Sequence, residues 1–302
     1  MSENAGMFND GSLEAVLAGI DPARPVLIAG PTASGKSALA MEIARLTGGP
    51  VVNADALQVF ANWRVLTARP SLAEEAEVPH ALYGHVPGAQ TYSVGDWLRE
   101  LAPLLEGAPV IVGGTGLYFT ALTEGLAEIP QTPDRIHARA MARIEDGDVA
   151  GLLKELDAPT LARIDQQNPM RVQRAWEVLT ATGRGLADWQ DATGPALLPA
   201  DKAQTFLIDA PKDWLTPRIE ARFDLMIEGG ALDEARTNAT TWNPAHPSAK
   251  AIGAAELIAH VQGEMTLDAA RAAAVIATRQ YAKRQRSWFR ARMKGWRSIK
   301  AD

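Results

Sequence analysis

One glycine-rich segment, residues 30–37 with the sequence GPTASGKS, constrains the fold of this 302-residue chain more than any other feature. It fits the phosphate-loop pattern G-x-x-x-x-G-K-[ST], in which backbone N–H groups surround phosphate oxygens at the N-terminus of a helix. The apolar residues 25–29 before it are typical of a buried parallel strand, and the helix-forming residues 37–46 follow it. Because strand, loop and helix come in the order that the motif requires, we predict a phosphate-binding site rather than a chance match in a glycine-rich turn.

The loop residues have individual expected roles. Gly30 and Gly35 allow the backbone to curl around an anion, Lys36 reaches the terminal phosphate oxygens, and Ser37 holds Mg²⁺, the one cofactor that we expect. The predicted diphosphate-binding residues are Gly30, Pro31, Thr32, Ala33, Ser34, Gly35, Lys36 and Ser37. The pattern is shared with nucleotide- and ATP-binding proteins, but it does not by itself establish that a nucleoside triphosphate is hydrolysed.

The composition excludes several classes of protein. The chain is 47% hydrophobic and 22% charged, as in ordinary globular proteins, and no apolar run approaches the ~20 residues of a membrane helix. The absence of cysteine excludes disulfides, thiol catalysis and cysteine-ligated zinc. The N-terminal segment has acidic residues and no apolar core beside basic charge, so we expect no secretion signal, no membrane partner and a cytoplasmic location.

The charge of the chain is strongly polarised. Its net charge of −6 argues against a general nucleic-acid binder, yet the segment 279–300 carries nine basic and no acidic residues, which leaves a net −15 elsewhere. The nine are Arg279, Lys283, Arg284, Arg286, Arg290, Arg292, Lys294, Arg297 and Lys300. Tyr281, Trp288, Phe289 and Trp296 are interleaved with them, and aromatic residues among arginines suit base stacking and phosphate contact. We therefore expect a polyanion to contact this segment; a solvated basic tail, or aromatics that dock a helix on the core, are the alternatives.

Apolar runs that alternate with helical patterns predict an α/β phosphate-loop fold with a doubly wound parallel sheet. The predicted strands are residues 25–29, 50–55, the start of 108–119, and 205–210, and the accompanying helical patterns are 94–105 and 217–235. Such sheets bind ligands beyond the carboxyl ends of their strands. Asp55, the turn at residues 113–116, Asp209 and the phosphate loop should therefore converge.

A stretch without β-like runs interrupts this alternation. It predicts several helices, the last of which ends at Gly183 as its C-cap, followed by a loop at residues 188–202. The predicted domains are a first part of the phosphate-loop core at 1–133, an all-helical insertion at 134–200, to which the resemblance described below assigns tRNA contact, and a second part of the core with the basic C-terminal helix at 201–302.

Asp55 stands at a predicted strand end, about twenty residues after the phosphate loop. A carboxylate there lies within reach of the phosphate site and suits a general base. A Mg²⁺-associated residue or a helix N-cap are the alternatives, and Asp209 competes for the same role. The strand at residues 108–113 leads into Gly114 and Thr115, where a phosphate-loop ATPase usually has an aspartate for magnesium, which argues against plain ATP hydrolysis.

A later helical pattern places two arginines on one face. It predicts Thr216 as the N-cap and Pro217 as the first helical residue, so Arg218 and Arg222 follow at i and i+4. Two like charges at this spacing repel slightly, and a diphosphate between them would remove that repulsion. The alternative is an ion pair with an acidic neighbour on a solvated face, Glu220 or Asp224.

Short motifs along the chain resemble those of the tRNA dimethylallyltransferases, also called tRNA isopentenyltransferases. The resemblance covers the chain from about Val26 to Arg290, and its most specific parts are the phosphate loop and the C-terminal RQYAKRQRSWFR at 279–290. The other matching segments are DALQV at 55–59, TARP at 67–70, VPHAL at 78–82, VGGTGLY at 112–118, RVQR at 171–174 and AIG at 251–253.

The resemblance implies transfer of a dimethylallyl group from dimethylallyl diphosphate to N6 of adenosine 37, in the anticodon loop of tRNA, with pyrophosphate as the leaving group. It implies that the loop holds a prenyl diphosphate, that Asp55 is the base, and that Thr115, Arg218 and Arg222 complete the catalytic set. The expected partners are tRNA and dimethylallyl diphosphate, with the protein as a monomer. The implied tRNA contacts are Asp55, Ala56, Leu57, Gln58, Thr115, His137, Met170, Arg171, Val172, Gln173 and Arg174.

The chain departs from the family pattern at four positions. Ala56 replaces a serine, Met170 a common glutamine and Ala254 an aromatic residue. His137 stands where the family has an RNA-contacting arginine, with Arg135 and Arg139 as the alternative matches. Because none belongs to the phosphate loop or replaces Asp55, these departures bear on RNA affinity or site preference more than on the reaction.

Three other functions compete with tRNA modification. An adenylate isopentenyltransferase acting on free nucleotides would not need the helical insertion or the basic C-terminal segment. A small-molecule kinase would need the missing aspartate, and a non-catalytic RNA-binding protein would not need an intact phosphate loop with Asp55. We therefore predict tRNA dimethylallyl transfer.

Overall fold

A sheet of six parallel strands organises the fold. The strands are β1 (Val26–Ala29), β2 (Val51–Asn53), β3 (His80–Ala81), β4 (Val110–Gly113), β5 (Gln204–Asp209) and β6 (Arg297–Lys300). They lie in the order β3-β2-β4-β1-β5-β6, and every pair is parallel. This computed structural model, which describes residues 10–301, confirms the predicted α/β fold with its parallel sheet.

Residues of the central strand β1 alternate between two hydrophobic cores. Val26 and Ile28 pack in one core, whereas Leu27 and Ala29 pack in the other, and all four are buried. Because both faces of the sheet are covered, the strand is a continuous apolar run, which is why it is recognisable in the sequence.

Some helices surround the sheet, and others form a second compact unit. They are α1 (Asp10–Leu17), α2 (Lys36–Thr47), α3 (Leu72–Glu77), α4 (Val94–Leu101), α5 (Gly116–Glu124), α6 (Asp134–Glu145), α7 (Val149–Lys154), α8 (Ala158–Arg163), α9 (Pro169–Thr182), α10 (Leu186–Asp191), α11 (Lys212–Met226), α12 (Leu232–Ala239), α13 (Ala254–Val261) and α14 (Leu267–Arg292). The chain divides into a core unit, whose described residues are 10–123 and 197–301, and a helical unit, residues 124–196. The helical unit begins ten residues before the boundary expected at 134 and ends at 196 rather than 200.

The helical unit has a hydrophobic core of its own. Ala140, Leu152, Val172 and Trp176 are buried at its centre. Its longest helix, α9, ends at Gly183 in a left-handed conformation with φ of 69°, so the predicted C-cap is confirmed.

The prediction that residues 188–202 form a loop is wrong for their first part. Residues up to Asp191 belong to α10, a short helix that contacts within the helical unit stabilise. Trp189 Nε1 donates to Thr182 Oγ1 at 3.2 Å, and the Arg184 guanidinium lies 4.6 Å from the centre of the Trp189 ring. These tertiary contacts are not visible in the local sequence.

The predicted start of α11 is also wrong. The helix begins at Lys212 rather than at Pro217, and the Thr216 hydroxyl donates to the Lys212 carbonyl instead of capping. Pro217 lies inside the helix, where it removes one backbone donor. Burial of Leu215 in the core extends the helix backwards past the proline.

None of the helices within residues 10–301 combines the length and the apolar character that a membrane span needs. The N-terminal segment in which we expect no secretion signal begins outside these residues.

Candidate active site

The carboxyl ends of three adjacent strands carry the candidate site. β1 leads into the phosphate loop, β2 leads to Asp55, and β4 leads into the glycine turn at residues 113–116. Because β2, β4 and β1 are neighbours in the sheet, the three segments lie together at one edge.

The phosphate loop folds tightly as it leaves β1. Gly35 has φ of 84°, a left-handed conformation that favours glycine, and it caps the N-terminus of α2. A Cβ on Gly30 would lie 2.7 Å from Oγ of Ser34. Ser34 Oγ is buried and has no hydrogen-bond partner within residues 10–301. A tight loop that leads into a helix N-terminus is the arrangement that binds phosphate groups.

Two cations from different elements face this loop. Lys36 Nζ donates to the Pro31 carbonyl at 3.3 Å, and Arg222 Nη1 of α11 donates to Thr32 Oγ1 at 3.2 Å. Burial, and after it the charge of Arg222, lowers the pKa of Lys36 to about 8, while Asp55 opposes the shift. Burial also lowers the pKa of Arg222, again against Asp55. A bound diphosphate would relieve the repulsion between the two cations.

Local hydrogen bonds orient Asp55. Its N–H donates to Asn53 Oδ1 at 2.8 Å, and its Oδ1 accepts from the Leu57 N–H at 3.0 Å. Asn53 Nδ2 donates to the Asp55 carbonyl at 2.9 Å. A Cβ on Gly114 would lie 3.3 Å from Asp55 Oδ2. One carboxylate oxygen is therefore fixed by backbone, and the other lies beside the glycine turn.

Thr115 forms hydrogen bonds on both sides of Asp55 in the chain. It is not among the residues that line the neighbouring cavity. Its Oγ1 accepts from the Ala56 N–H at 3.0 Å, and its own N–H donates to the Ala54 carbonyl at 3.2 Å. A Cβ on Gly113 would lie 2.0 Å from the Ala54 carbonyl oxygen, so only glycine permits this approach. Thr115 thus positions the segment that carries Asp55.

Gln285 of α14 joins the phosphate loop to the glycine turn. Its Oε1 accepts from the Thr32 N–H and its Nε2 donates to the Gly114 carbonyl, both at 2.9 Å. One turn further along α14, Trp288 lies against Gly116, where a Cβ would be 2.1 Å from the indole Cδ1. The motifs assign Gln285 no role. It belongs to the matching segment 279–290, and the structure buries it with 5% exposure.

The loop, Asp55 and α11 enclose a cavity with a polar and an apolar part. The lining residues are Thr32, Asp55, Leu57, Leu66, Thr67, Ile219, Arg222, Phe223, Met226, Ile252, Thr278 and Tyr281. Burial, and after it the charge of Asp55, raises the pKa of Tyr281, so its hydroxyl stays protonated at neutral pH. The cavity therefore suits a ligand with an anionic head and a short apolar group.

Glu234 of α12 clamps one wall of this cavity. Its carboxylate accepts the backbone N–H groups of Arg64, Val65 and Leu66, with distances of 3.1 Å to Val65 and 2.9 Å to Leu66. Charge-assisted bonds of this kind are stronger than neutral ones. No sequence motif identifies Glu234, because its partners are backbone groups far away in the chain.

Gln58, an implied tRNA contact, supports the same wall from the other side. Its Nε2 donates to the carbonyls of Thr67 and Ala68, at 2.9 and 2.8 Å. Leu57, its neighbour in the implied set, lines the cavity instead. The segment after Asp55 therefore contributes to the shape of the cavity.

Arg218 and Asp209, like Thr115, lie outside the cavity. The Arg218 guanidinium lies 4.2 Å from the centre of the Trp214 ring, so only Arg222 of the two predicted arginines reaches the cavity. Asp209 ends β5 beside Lys300 of the edge strand and is exposed.

The acidic neighbours of these arginines are engaged elsewhere. Asp224 forms an ion pair with Arg271, and Glu220 lies 4.0 Å from Arg279. The alternative in which Arg218 or Arg222 pairs with them is therefore wrong.

A buried carboxylate organises the implied tRNA-contact helix of the helical unit. Oε1 of buried Glu177 lies 2.8 Å from exposed His137 Nδ1 and accepts from Gln173 Nε2 at 2.8 Å. Arg174 Nη1 donates to Thr132 Oγ1 at 2.8 Å. Gln173 is buried, so its amide supports this network.

The remaining implied contacts on this helix differ in exposure. Val172 is fully buried in the core of the helical unit, so its side chain packs rather than facing solvent. Met170 is 61% exposed, and Arg171 and Arg174 are exposed as well. The side chains of these three residues are exposed on this helix.

Comparison with protein-family models matches residues 58–292 to the family described as IPP transferase and residues 23–81 to isopentenyl transferase. A tRNA dimethylallyltransferase of Cereibacter sphaeroides is 63% identical over 279 residues, which cover 92% of this chain and 89% of that protein.

Solved structures show the same fold. The tRNA isopentenylpyrophosphate transferase of Bacillus halodurans aligns with a TM-score of 0.64 and 28% identity, over 92% of this chain and 90% of that chain. A eukaryotic dimethylallyltransferase acting on tRNA aligns with a TM-score of 0.76 and 24% identity, over 91% of this chain and 73% of that chain. Because the IPP transferase model spans more than half of the chain and a relative is 63% identical over most of its length, this chain belongs to the IPP transferase family.

Proposed function

We propose that this chain transfers a dimethylallyl group from dimethylallyl diphosphate to N6 of adenosine 37 in the anticodon loop of tRNA. The observation that carries the proposal is a single cavity in which Asp55 faces Arg222 and the phosphate loop on one side and apolar side chains on the other. Close relatives that are named tRNA dimethylallyltransferases support it.

The cavity matches a prenyl diphosphate in two parts. Thr32 and Arg222 stand at the phosphate loop, where the diphosphate would bind, and Lys36 adds a second cation. Leu66 and Phe223 belong to the apolar part, where a branched five-carbon group would be buried. Each buried CH₂ contributes roughly 0.8 kcal/mol, so the apolar part favours a prenyl diphosphate over free pyrophosphate.

The reaction follows from this placement. The N6 amine of adenosine attacks C1 of the dimethylallyl group, the C1–O bond breaks, and the diphosphate leaves with the electron pair. Asp55 accepts the N6 proton through Oδ2, while Oδ1 stays bonded to the Leu57 N–H. Lys36 and Arg222 stabilise the charge that develops on the departing diphosphate.

A Mg²⁺ ion fits this site only as a partner of the diphosphate. Within residues 10–301, no group of three or more His, Asp or Glu side chains is placed to hold a metal ion. Mg²⁺ commonly binds few protein groups and keeps waters and phosphate oxygens, so a hydroxyl ligand is sufficient. Ser37, exposed at the start of α2, would supply that hydroxyl. When bound, the ion would neutralise charge on the leaving group.

The location and assembly state belong to the same proposal. We infer action in the cytoplasm, because a chain without cysteine fits a reducing compartment. We also infer that a monomer is sufficient, because Asp55, Arg222 and the phosphate loop of a single chain already lie together at the cavity. Analytical ultracentrifugation of the active protein would test the second inference.

A transfer assay tests the proposed function. Purified protein is incubated with Mg²⁺, labelled dimethylallyl diphosphate and unmodified tRNA, with AMP and ATP in parallel reactions. We expect label in tRNA, at the adenosine that follows the anticodon. Label in AMP alone would reassign the protein to the free-nucleotide enzymes, and ATP consumption without prenyl transfer would indicate a kinase.

A further inference from the structure

The apolar part of the cavity is closed where two side chains meet over one glycine. Leu66 and Phe223 both line the cavity, and both are buried in the same hydrophobic core. A Cβ on Gly253 would lie 3.0 Å from Phe223 Cε2 and 3.1 Å from Leu66 Cδ1. The tips of the two side chains therefore lie against the same α-carbon, and together they form an apolar wall.

Gly253 allows this wall to close. It has φ of 92°, a left-handed conformation that favours glycine, and it caps the N-terminus of α13. A side chain at this position would strain the backbone and displace the tips of Leu66 and Phe223. Ile252, the preceding residue, lines the cavity itself. The AIG segment at 251–253 therefore contributes to the apolar part of the cavity.

The surrounding core fixes the apolar wall in place. The Leu66 N–H donates to the Glu234 carboxylate at 2.9 Å, which holds the backbone of Leu66. Trp63 is fully buried in the same core as Leu66 and Phe223, and it meets Trp242 edge to face with ring centres 6.5 Å apart. Because protein cores are close-packed, a ligand can extend past the wall only by displacing its side chains.

Helix α11 carries both the cation for the diphosphate and part of the apolar wall. Ile219, Arg222, Phe223 and Met226 follow one another at spacings of three, one and three residues, which places them on one helical face, and all four line the cavity. Arg222 donates to Thr32 of the phosphate loop, so the anionic head of a ligand has a fixed place relative to Phe223. At ~1.5 Å per residue, the face from Arg222 to Met226 covers only roughly 6 Å. This geometry leaves room for a short apolar group.

We propose that Phe223, supported by Leu66 and Gly253, limits the prenyl group that the cavity accepts to one isoprene unit. The proposal rests on the function proposed above, because it concerns the donor of that reaction. A donor with a second isoprene unit, such as geranyl diphosphate, has the same anionic head but would have to displace the Phe223 ring. Phe223 is thus a specificity-determining residue that takes no part in the proton transfer.

The test compares three donors of increasing length. They are dimethylallyl diphosphate, its homologue with one additional CH₂ at the end of the chain, and geranyl diphosphate. Phe223→Ala removes the ring, and Phe223→Leu is the milder variant that keeps an apolar side chain in the core. The control is Phe206→Leu, which changes a similarly buried phenylalanine of the same core that is not among the residues lining the cavity. Thermal unfolding checks that each variant folds.

The readouts are kcat/KM for each longer donor relative to dimethylallyl diphosphate, with unmodified tRNA as acceptor, and the Kd of each donor for the RNA-free protein. We expect the wild type to discriminate against the homologue by about 10–200-fold, and against geranyl diphosphate more strongly. Phe223→Leu should raise the relative kcat/KM of the homologue by about tenfold or more, and Phe223→Ala should do the same for geranyl diphosphate. Phe206→Leu should keep the wild-type ratios, because a loss of stability alone does not change the preference between two donors.

Two results overturn the proposal. One is a wild type that uses geranyl diphosphate as well as dimethylallyl diphosphate. The other is a pair of folded Phe223 variants that keep the wild-type ratios. If the wild type transfers no prenyl group to tRNA, the proposed reaction fails, and the Kd values test the length limit independently. The limit then stands if geranyl diphosphate binds more tightly to Phe223→Ala than to the wild type, and it fails if the two Kd values are equal.

Discussion

The charge of the Asp55 carboxylate affects the pKa values of three neighbouring residues. Its charge opposes the lowering of the pKa of Lys36 and of Arg222, and it contributes to the raised pKa of Tyr281. These effects place Asp55 centrally among the groups that face the cavity. A base in this position can take a proton from a nucleophile while the cations hold the leaving group.

The lowered pKa of Lys36 predicts a pH dependence of ligand binding. Its pKa in the folded protein is about 8 instead of 10.5, so the ammonium loses its proton as the pH rises above 8. A phosphate ester is already fully ionised there, since its second ionisation lies near pH 6. Affinity for dimethylallyl diphosphate should therefore fall about tenfold between pH 7 and pH 9.

Calorimetric titration of the RNA-free protein measures this dependence. The Lys36→Met variant is the control, and it should bind weakly with little change over the same range. An affinity of the wild type that stays constant from pH 7 to pH 9 would show that Lys36 does not contact the diphosphate.

The second prediction concerns Glu234, whose carboxylate accepts hydrogen bonds from three backbone N–H groups. Replacing Glu234 with Gln weakens three charge-assisted bonds to the loop that carries Leu66 into the cavity. We expect KM for dimethylallyl diphosphate to rise about tenfold, equivalent to roughly 1.4 kcal/mol, with KM for tRNA changed less. Steady-state kinetics measure both, and Asp233→Asn, at an exposed neighbour, is the control. Equal KM values for Glu234→Gln and Asp233→Asn would remove Glu234 from the site.

The roles of some single residues could not be predicted from the sequence. Arg218 and Arg222 share a spacing and a residue type, and no sequence pattern distinguishes them. The structure distinguishes them. The Arg218 guanidinium lies over the Trp214 ring, whereas Arg222 donates a hydrogen bond to Thr32. Gln285 and Glu234 have partners distant in the chain, so their roles depend on tertiary contacts that the sequence does not display.

At the scale of the element, α14 connects several parts of the site. Tyr281 lines the cavity, Gln285 bonds the phosphate loop and the glycine turn, and Trp288 packs on Gly116. A further face of the same helix lines a basic groove against α11. Displacement of this helix would therefore disturb diphosphate binding and the Asp55 turn together.

Gln285→Ala tests this connection. The substitution leaves the Thr32 N–H and the Gly114 carbonyl without their partner, which costs about 1–3 kcal/mol of folding stability. We expect the thermal unfolding midpoint to fall and kcat to drop at least tenfold. Ser287→Ala, at an exposed position of the same helix, should change neither. A kcat unaffected by Gln285→Ala would show that α14 does not position the reacting groups.

The elements that could be predicted are those with a continuous local pattern. β1, β2, β4 and β5 are apolar runs covered on both faces, and the phosphate loop marks the turn after β1. The edge strands β3 and β6 give no such signal, because β3 has two residues and β6, RSIK, has three exposed polar residues and a single buried isoleucine. The start of α11 could not be predicted, because Pro217 is typical of a first helical residue but lies inside this helix.

At the scale of the whole molecule, the chain combines two compact units whose signals in the sequence differ. In the sequence, the core unit is indicated by apolar strand patterns, whereas the helical unit is indicated mainly by the absence of such patterns. Its boundaries fall in loops without strong patterns, so residues 124–133 are assigned to it only by their contacts.

The helical unit is predicted to fold on its own. Trp176 is buried in its core and donates to Glu155 at 2.6 Å, and its ends meet where a Cβ on Gly125 would lie 2.6 Å from the Gly194 carbonyl oxygen. Domains of this size do fold alone, although marginally. A peptide of residues 124–196 should show helical circular dichroism and a cooperative thermal transition, which Trp176→Ala should abolish. A gradual transition in the unmodified peptide would contradict this prediction.

The measurement that tests the role of the cavity most directly compares catalysis and binding in Asp55→Ala. Removing a carboxylate near a bound diphosphate does not weaken the binding of that anion, since like charges repel. We predict that transfer to tRNA falls by about 10²–10⁴ while the Kd for dimethylallyl diphosphate stays within about twofold of the wild-type value. Parallel losses of transfer and of diphosphate binding, or transfer at the wild-type rate, would contradict the assignment of Asp55 as the base.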